Sequence, residues 1–329
     1  MNSPGRFLRL VLAGLIFIIP PVWAEPVRLI FAGDIMLDDG PGKVIQSGRD
    51  PLAHFAAMLA QADFTVGNLE CPVATTGRPL ESKIFSFRAH PRVLSILKGR
   101  FNALAVANNH SGDYGKEAFL ETLTLLEHND LPYFGGGRDL AAAHAPLWIE
   151  RKGLRIAVLG YNEFKPRSFE AGPDWAGIAW SEDSQVFADI RAARAAGADL
   201  VIPFMHWGWE RELQPDSRQR QLARTMIDAG ADLVIGGHPH VTQGAEYYRG
   251  KLIVYSLGNF VFDGFDPPEI PETREGWLLR LSVDRDGLIE WDTVAARMDQ
   301  EGTPHPVPGA ETPCGKADDT VIRHCRNLP

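Results

Sequence analysis

Six segments share one form, in which an apolar run ends in residues able to bind a metal ion or move a proton. They are Phe31-Ala32-Gly33-Asp34, Val66-Gly67-Asn68-Leu69-Glu70, Val106-Ala107-Asn108-Asn109-His110, Gly160-Tyr161-Asn162-Glu163, Phe204-Met205-His206 and Gly236-Gly237-His238-Pro239-His240. Asp, Glu, Asn and His form the hard-to-borderline donor set that suits Mn, Fe or Zn. His238 and His240 stand two apart, so in extended chain both point to one side and can share a site. Gly236 and Gly237 let backbone approach with no side chain in the way. Each residue alone also has an ordinary reading. Asp34, Asn68 and Asn108-Asn109 suit caps or turns, His206 suits a satisfied core, and Glu163 and Glu210 suit solvent. Joint placement after successive apolar runs is what argues for one site.

The elements that would position these residues alternate. Short β-branched runs fall at 27–32, 64–66, 103–106, 155–159, 200–204, 233–235 and 252–255. Helical patterns lie at 51–61, 116–128, 184–196 and 217–229, with Asp216 as an N-cap for the last. Alternation of this kind predicts an α/β layered fold. Residues 277–283, Asp286-Gly287 and 288–294 read as an antiparallel hairpin, so the sheet is expected to be mixed. The string AGADLVI occurs at both 196–202 and 229–235. In each copy a glycine, Gly197 or Gly230, can end a helix in the left-handed conformation before a buried strand and then histidine. That places the histidines at the C-terminal ends of strands, where open α/β sheets bind ligands.

The 329 residues are 45% hydrophobic and 23% charged, which excludes a disordered or collagen-like chain. Net charge is -9 and no basic run occurs, so nucleic acid is not an expected partner. Arg6 and Arg9, the apolar run 10–19 and Val22-Trp23-Ala24 read as a signal peptide over residues 1–24, with an uncleaved anchor as the alternative. The apolar run is shorter than the ~20 residues of a spanning helix. The expected location is therefore periplasmic or secreted. Residues 25–300 read as the domain and 301–329 as a Pro-rich tail. Three cysteines exclude a disulfide-dense scaffold; Cys314 and Cys325 can pair, and Cys71 reads as a buried small hydrophobe. Gly-x-Ser-x-Gly, Walker A and Gly-x-Gly-x-x-Gly motifs do not occur, which disfavours serine-hydrolase, ATP-driven and NAD-driven chemistry.

Six ordered blocks carry a resemblance. They are Gly33-Asp34-Ile35-Met36-Leu37, Asn68-Leu69-Glu70, Asn108-Asn109-His110 with Asp113-Tyr114-Gly115, His206-Trp207-Gly208-Trp209-Glu210, Gly237-His238-Pro239-His240, and Tyr255-Ser256-Leu257-Gly258-Asn259-Phe260. Together they resemble the CapA family of capsule-synthesis, poly-γ-glutamate-associated proteins over about residues 27–263. That family is similar to calcineurin-like metallophosphoesterases, which implies a four-layer α/β/β/α sandwich with mixed sheets. The resemblance implies Asp34, Glu70, Asn109, His206, His238 and His240 as metal ligands. It implies His110 beside the leaving group, with Asp34 and Glu70 also serving catalysis. Two departures stand out: Met36 where the superfamily has a histidine, and no bridging Asp, for which Asn68 or Glu70 must substitute. One metal position then keeps Glu70, Asn109, His206 and His238; the other keeps Asp34, a shared Glu70 and His240. One tight divalent ion (Mn, Fe or Zn) with a doubtful second is the expectation.

Such an ion would polarise a scissile group and acidify water toward ~7. His110 would protonate the leaving group. Arg88, Glu163, Glu210 and Trp207 are the substrate-binding candidates, Arg88 by a bidentate contact to an anion and Trp207, with Trp209, as a wall. The expected activity is that of a metal-dependent, hydrolase-like enzyme in synthesis, processing or export of an anionic polymer such as poly-γ-glutamate. The alternatives are a non-catalytic polymer- or synthase-binding component and a generic secreted phosphoesterase. Expected partners are an anionic polymer or small-molecule substrate and membrane-bound capsule synthase subunits.

Overall fold

The computed structural model describes residues 25–81, 83–263 and 271–316. The segment read as a signal peptide and the Cys314–Cys325 pairing lie outside what it describes. No helix among the described residues is long and apolar enough to cross a membrane.

The strands are β1 (Val27–Ile35), β2 (Phe64–Leu69), β3 (Ala103–Ala105), β4 (Tyr133–Phe134), β5 (Gly136–Gly137), β6 (Leu147–Arg151), β7 (Leu154–Asn162) and β8 (Gly177–Ile178). They continue with β9 (Leu200–His206), β10 (Leu233–Gly237), β11 (Thr242–Tyr248), β12 (Lys251–Leu257), β13 (Asn259–Val261), β14 (Glu275–Asp284), β15 (Gly287–Met298) and β16 (Pro304–Lys316). The first sheet runs β16-β15-β14-β1-β2-β3-β4, with β13 beside β1. The second runs β11-β12-β10-β9-β7-β6. In each, a parallel centre carries antiparallel neighbours: β1 pairs parallel with β2 and antiparallel with β14, while β12 pairs parallel with β10 and antiparallel with β11.

Side-chain alternation explains the layers. In β1, Leu29 and Phe31 face the second sheet, while Ile30 and Ala32 face outward into another apolar cluster. In β7, Ile156 and Val158 face inward, and Ala157 and Leu159 outward. Both sheets are thus apolar on both faces and need cover on each. The helix Gly115–His128 covers the first sheet with Phe119, Leu123 and Leu126. The helices Asp183–Ala195 and Ser217–Ala229 cover the second with Val186, Ile190, Leu222 and Met226. The result is the α/β/β/α sandwich with mixed sheets. Asp216 caps the helix Ser217–Ala229 in a reciprocal capping box with Gln219, and Gly230 closes it at φ +117°.

One local expectation is corrected. Residues 51–61 do not form one helix; a 3-10 turn Ala53–Phe55 leads into the single helical turn Ala56–Leu59. Within the segment read as a Pro-rich tail, β16 pairs antiparallel with β15. Pro304, Pro306 and Pro313 fit there because β16 is an edge strand, where a missing N–H breaks no ladder.

Candidate metal centre

The parallel strands of both sheets deliver their C-terminal ends to one place. Asp34 stands near the end of β1, Asn68 in β2 with Glu70 just beyond it, and Asn109-His110 after β3. From the other sheet come His206 at the end of β9 and His238 and His240 after β10. Close backbone packing makes this possible. A Cβ at Gly33 would lie 2.0 Å from the Gly258 carbonyl oxygen, and one at Gly237 would lie 2.9 Å from Asp34 Oδ1. The two histidines meet by a different route from strand alternation. β10 stops at Gly237, and His238 and His240 take φ of +95° and +58°, a turn that folds both rings inward. Such angles are costly for residues with a Cβ and are held here by the surrounding packing.

Glu70, His238 and His240 are fully buried and bring ligand atoms within 4.8 Å of one another. Both Glu70 carboxylate oxygens and His238 Nε2 lack a hydrogen-bond partner. Buried polar atoms are almost always satisfied, so this convergence fits a cation better than a finished core. The O, N, N donor set suits a borderline divalent ion. His240 Nδ1 lies 2.8 Å from Asn259 Oδ1, while the Asn259 amide nitrogen donates to the Thr273 carbonyl at 2.9 Å. Asn259 is therefore the acceptor, the proton sits on Nδ1, and Nε2 keeps its lone pair, 3.8 Å from Glu70 Oε1.

Asp34 and His206 flank this group. Asp34 Oδ2 lies 3.6 Å from His240 Nδ1 and accepts the His238 backbone N–H at 3.2 Å. Around His206 Nε2 stand Asn109 Oδ1 at 2.7 Å, His238 Nδ1 at 3.1 Å and Glu70 Oε1 at 3.4 Å. The Asn68 amide donates to Asp34 Oδ1 at 2.8 Å and faces His206 Nδ1 at 3.2 Å. Asn68 therefore acts as a donor, and Glu70 is the carboxylate that this strand end supplies. Both the His238 and His240 rings address Glu70, the carboxylate that the sequence reading shares between the two metal positions.

Burial dominates the electrostatics. It pushes the Glu70 carboxyl well above the usual range, with Asp34 adding repulsion, and pushes Asp34 up to about 6 against hydrogen bonds from Asn68 and His238. Burial also drives His206 and His238 well below their usual value and His240 down to about 3. The imidazoles are thus neutral and able to ligate, and the pocket lacks the positive charge that would ionise its carboxylates.

Beside the group, His110 Nδ1 lies 2.7 Å from Asp113 Oδ2, and Asp113 is ion-paired with Lys83. Lys83 also donates to the Asn109 carbonyl at 2.7 Å and lies 3.0 Å from His110 Nδ1. His110, Asn109, Lys83 and Glu210 border a cavity of about 340 Å³. The other substrate candidates lie elsewhere. Trp207 is packed in the outer core of the second sheet, with Nε1 donating to the Tyr255 carbonyl at 2.9 Å. Arg88 donates to the Thr76 carbonyl at 2.9 Å and stacks over Tyr114. Glu163 is ion-paired with Arg218 at 2.6 Å. Lys83 escaped sequence reasoning because its segment follows no strand; Asp113 was given no role there, although its place three residues after His110 was a signal that could have found it.

The description of bacterial capsule synthesis protein PGA_cap matches residues 28–264. The chain belongs to this family. The PGA biosynthesis protein CapA of Bacillus subtilis (strain 168) is 34% identical, over 84% of this chain and 73% of that relative. The capsule biosynthesis protein CapA of Bacillus anthracis is 30% identical, over 87% of this chain and 71% of its own. Among solved structures, a putative 5'-nucleotidase from Staphylococcus aureus aligns with a TM-score of 0.49 at 15% identity, over 86% of this chain and 54% of that one. The capsule-synthesis family thus carries, in this member, a buried carboxylate–histidine group at the meeting of its two sheets.

Proposed function

We propose that the protein is an extracytoplasmic, metal-dependent, hydrolase-like enzyme serving synthesis, processing or export of an anionic surface polymer such as poly-γ-glutamate. The observation that carries the hydrolase reading is the buried Glu70–His238–His240 group, with Glu70 and His238 atoms that no protein group satisfies. The polymer reading draws on the relatives, which are named for PGA and capsule biosynthesis. The extracytoplasmic location draws on the signal-like residues 1–24.

Glu70, His238 and His240 would hold a divalent ion, with Asp34 and His206 alongside. Bound there, the ion would supply Lewis-acid polarisation of the scissile group. Asp113 takes the Nδ1 proton of His110 in a hydrogen bond, which fixes the ring and leaves Nε2 as its proton-exchange atom. With the single proton of the neutral ring on Nδ1, the Nε2 lone pair can take a proton from the attacking water and return it to a leaving group in the adjoining cavity. Asn109 bridges the two parts, with its carbonyl on Lys83 and its side chain on His206.

The test is metal analysis of the purified chain, followed by hydrolysis of γ-glutamyl and phosphodiester substrates with and without chelator. Chelator-sensitive hydrolysis that falls with His110→Ala is the expected result. A metal-free protein that hydrolyses neither substrate would overturn the enzyme reading and leave a non-catalytic polymer- or synthase-binding component. N-terminal sequencing of exported protein should begin near Glu25; a full-length form held in the membrane would contradict cleavage.

A further inference from the structure

The cavity beside the metal ligands has a composition that the hydrolytic chemistry does not require. Lys83 and Lys165 border it, against the single carboxylate of Glu210. Lys165 makes no hydrogen bond or ion pair among the described residues. Lys83 has three N–H groups, of which Asp113 and the Asn109 carbonyl take two. His110 Nδ1 already donates to Asp113, so one Lys83 N–H remains for the cavity. The walls between the lysines are apolar. The Phe164 ring lies 3.9 Å from that of His238, and the Phe87 ring 4.8 Å from that of His110. An occupant with anionic groups separated by apolar spacer fits this lining, directly against the reacting residues. A net charge of -9 gives the molecule as a whole no attraction for such a chain, so capture has to be local.

We propose that this cavity seats one carboxylate-bearing repeat of an extended anionic chain. Lys83 receives its carboxylate at the floor, Lys165 meets a neighbouring carboxylate at the rim, and Phe87 and Phe164 pack on the methylenes. The inference rests on the polymer reading above and names the residues that would select that substrate.

Calorimetric titration of the full chain with a synthetic γ-linked glutamate hexamer tests it, with the same hexamer carrying side-chain amides as control. The acid form should bind about tenfold tighter than the amide at low salt. Lys165→Gln should weaken the acid form about fivefold and leave the amide form unchanged. Lys83→Gln should weaken it further; because that change leaves Asp113 buried without its cation, Lys165→Glu is the second variant, which leaves the interior untouched. Equal binding of acid and amide forms, or affinities unmoved by both Lys165 variants, overturns the proposal while the metal-dependent reading stands. If neither hexamer binds the unaltered chain, this proposal and the polymer reading both fall.

Discussion

Glu70 is the residue on which the centre turns, because it is a buried carboxylate with neither oxygen hydrogen-bonded. Glu70→Gln keeps the shape and removes the charge, so metal affinity should fall at least about tenfold in equilibrium dialysis. Proton competition gives a second expectation. Asp34 has its ordinary value of 3.8 raised to about 6, so its burial costs nothing below the first value and the full amount above the second. A cation needs the ionised form. Metal uptake should therefore strengthen as pH rises through about 6, with proton release on binding, and continue to strengthen beyond it as the still more strongly raised Glu70 ionises; titration in buffers of different pH reads both. Met36 is the third case. It stands where the superfamily has a histidine, and here it is fully buried in the outer core with its sulfur accepting the Asp38 N–H at 3.1 Å. Met36→His should thus cost about 2 kcal/mol in urea unfolding and leave metal stoichiometry unchanged. A tightened second equivalent would reverse that view. Trp207 teaches the same lesson: the residue after His206 alternates to the opposite face, so its burial was legible from the strand period. Lys83 was not legible, because loop closure in space brings it to Asp113.

Among the elements, strands and their order of use were the most readable feature. Seven apolar runs correspond to β1, β2, β3, β7, β9, β10 and β12, since each is buried on both faces and so reads as continuous hydrophobic sequence. β16 was not readable because prolines mask a strand whose outer edge needs no ladder. The 238–240 turn was not readable either: positive φ at two histidines is a tertiary demand with no local signature. The cap at Asp216 was readable, though not its reciprocal half at Gln219. Asp216 accepts the Gln219 N–H at 2.8 Å, and Gln219 Oε1 accepts the Asp216 N–H at 3.0 Å. Asp216→Ala should therefore lower stability by about 1 kcal/mol in urea unfolding while leaving metal content unchanged. Loss of metal with that variant would mean that the helix Ser217–Ala229 positions the centre more directly than its packing indicates.

At the scale of the molecule, Glu70 comes from the first sheet and His238 and His240 from the second. An ion between them ties the two halves of the sandwich together. Calorimetric melting should consequently fall in temperature on adding chelator, with a stabilisation of about 2.7 kcal/mol restored at a hundredfold excess of metal over its Kd. An unchanged melting curve would show that the ion does not bridge the sheets. The same sheet order also governs assembly of the chain. β1 is flanked by β2 and by β14, and Val27 pairs with Val283 near the far end of the described residues. Loop closure over that separation spends entropy before any contact repays it, which marks the protein as a slow, high-contact-order folder. On a ribosome the first strand made waits for nearly the last. Throughout that interval Leu29, Ile30 and Phe31 form an apolar ribbon with an open edge, the stretch on which aggregation or a holdase chaperone would act first.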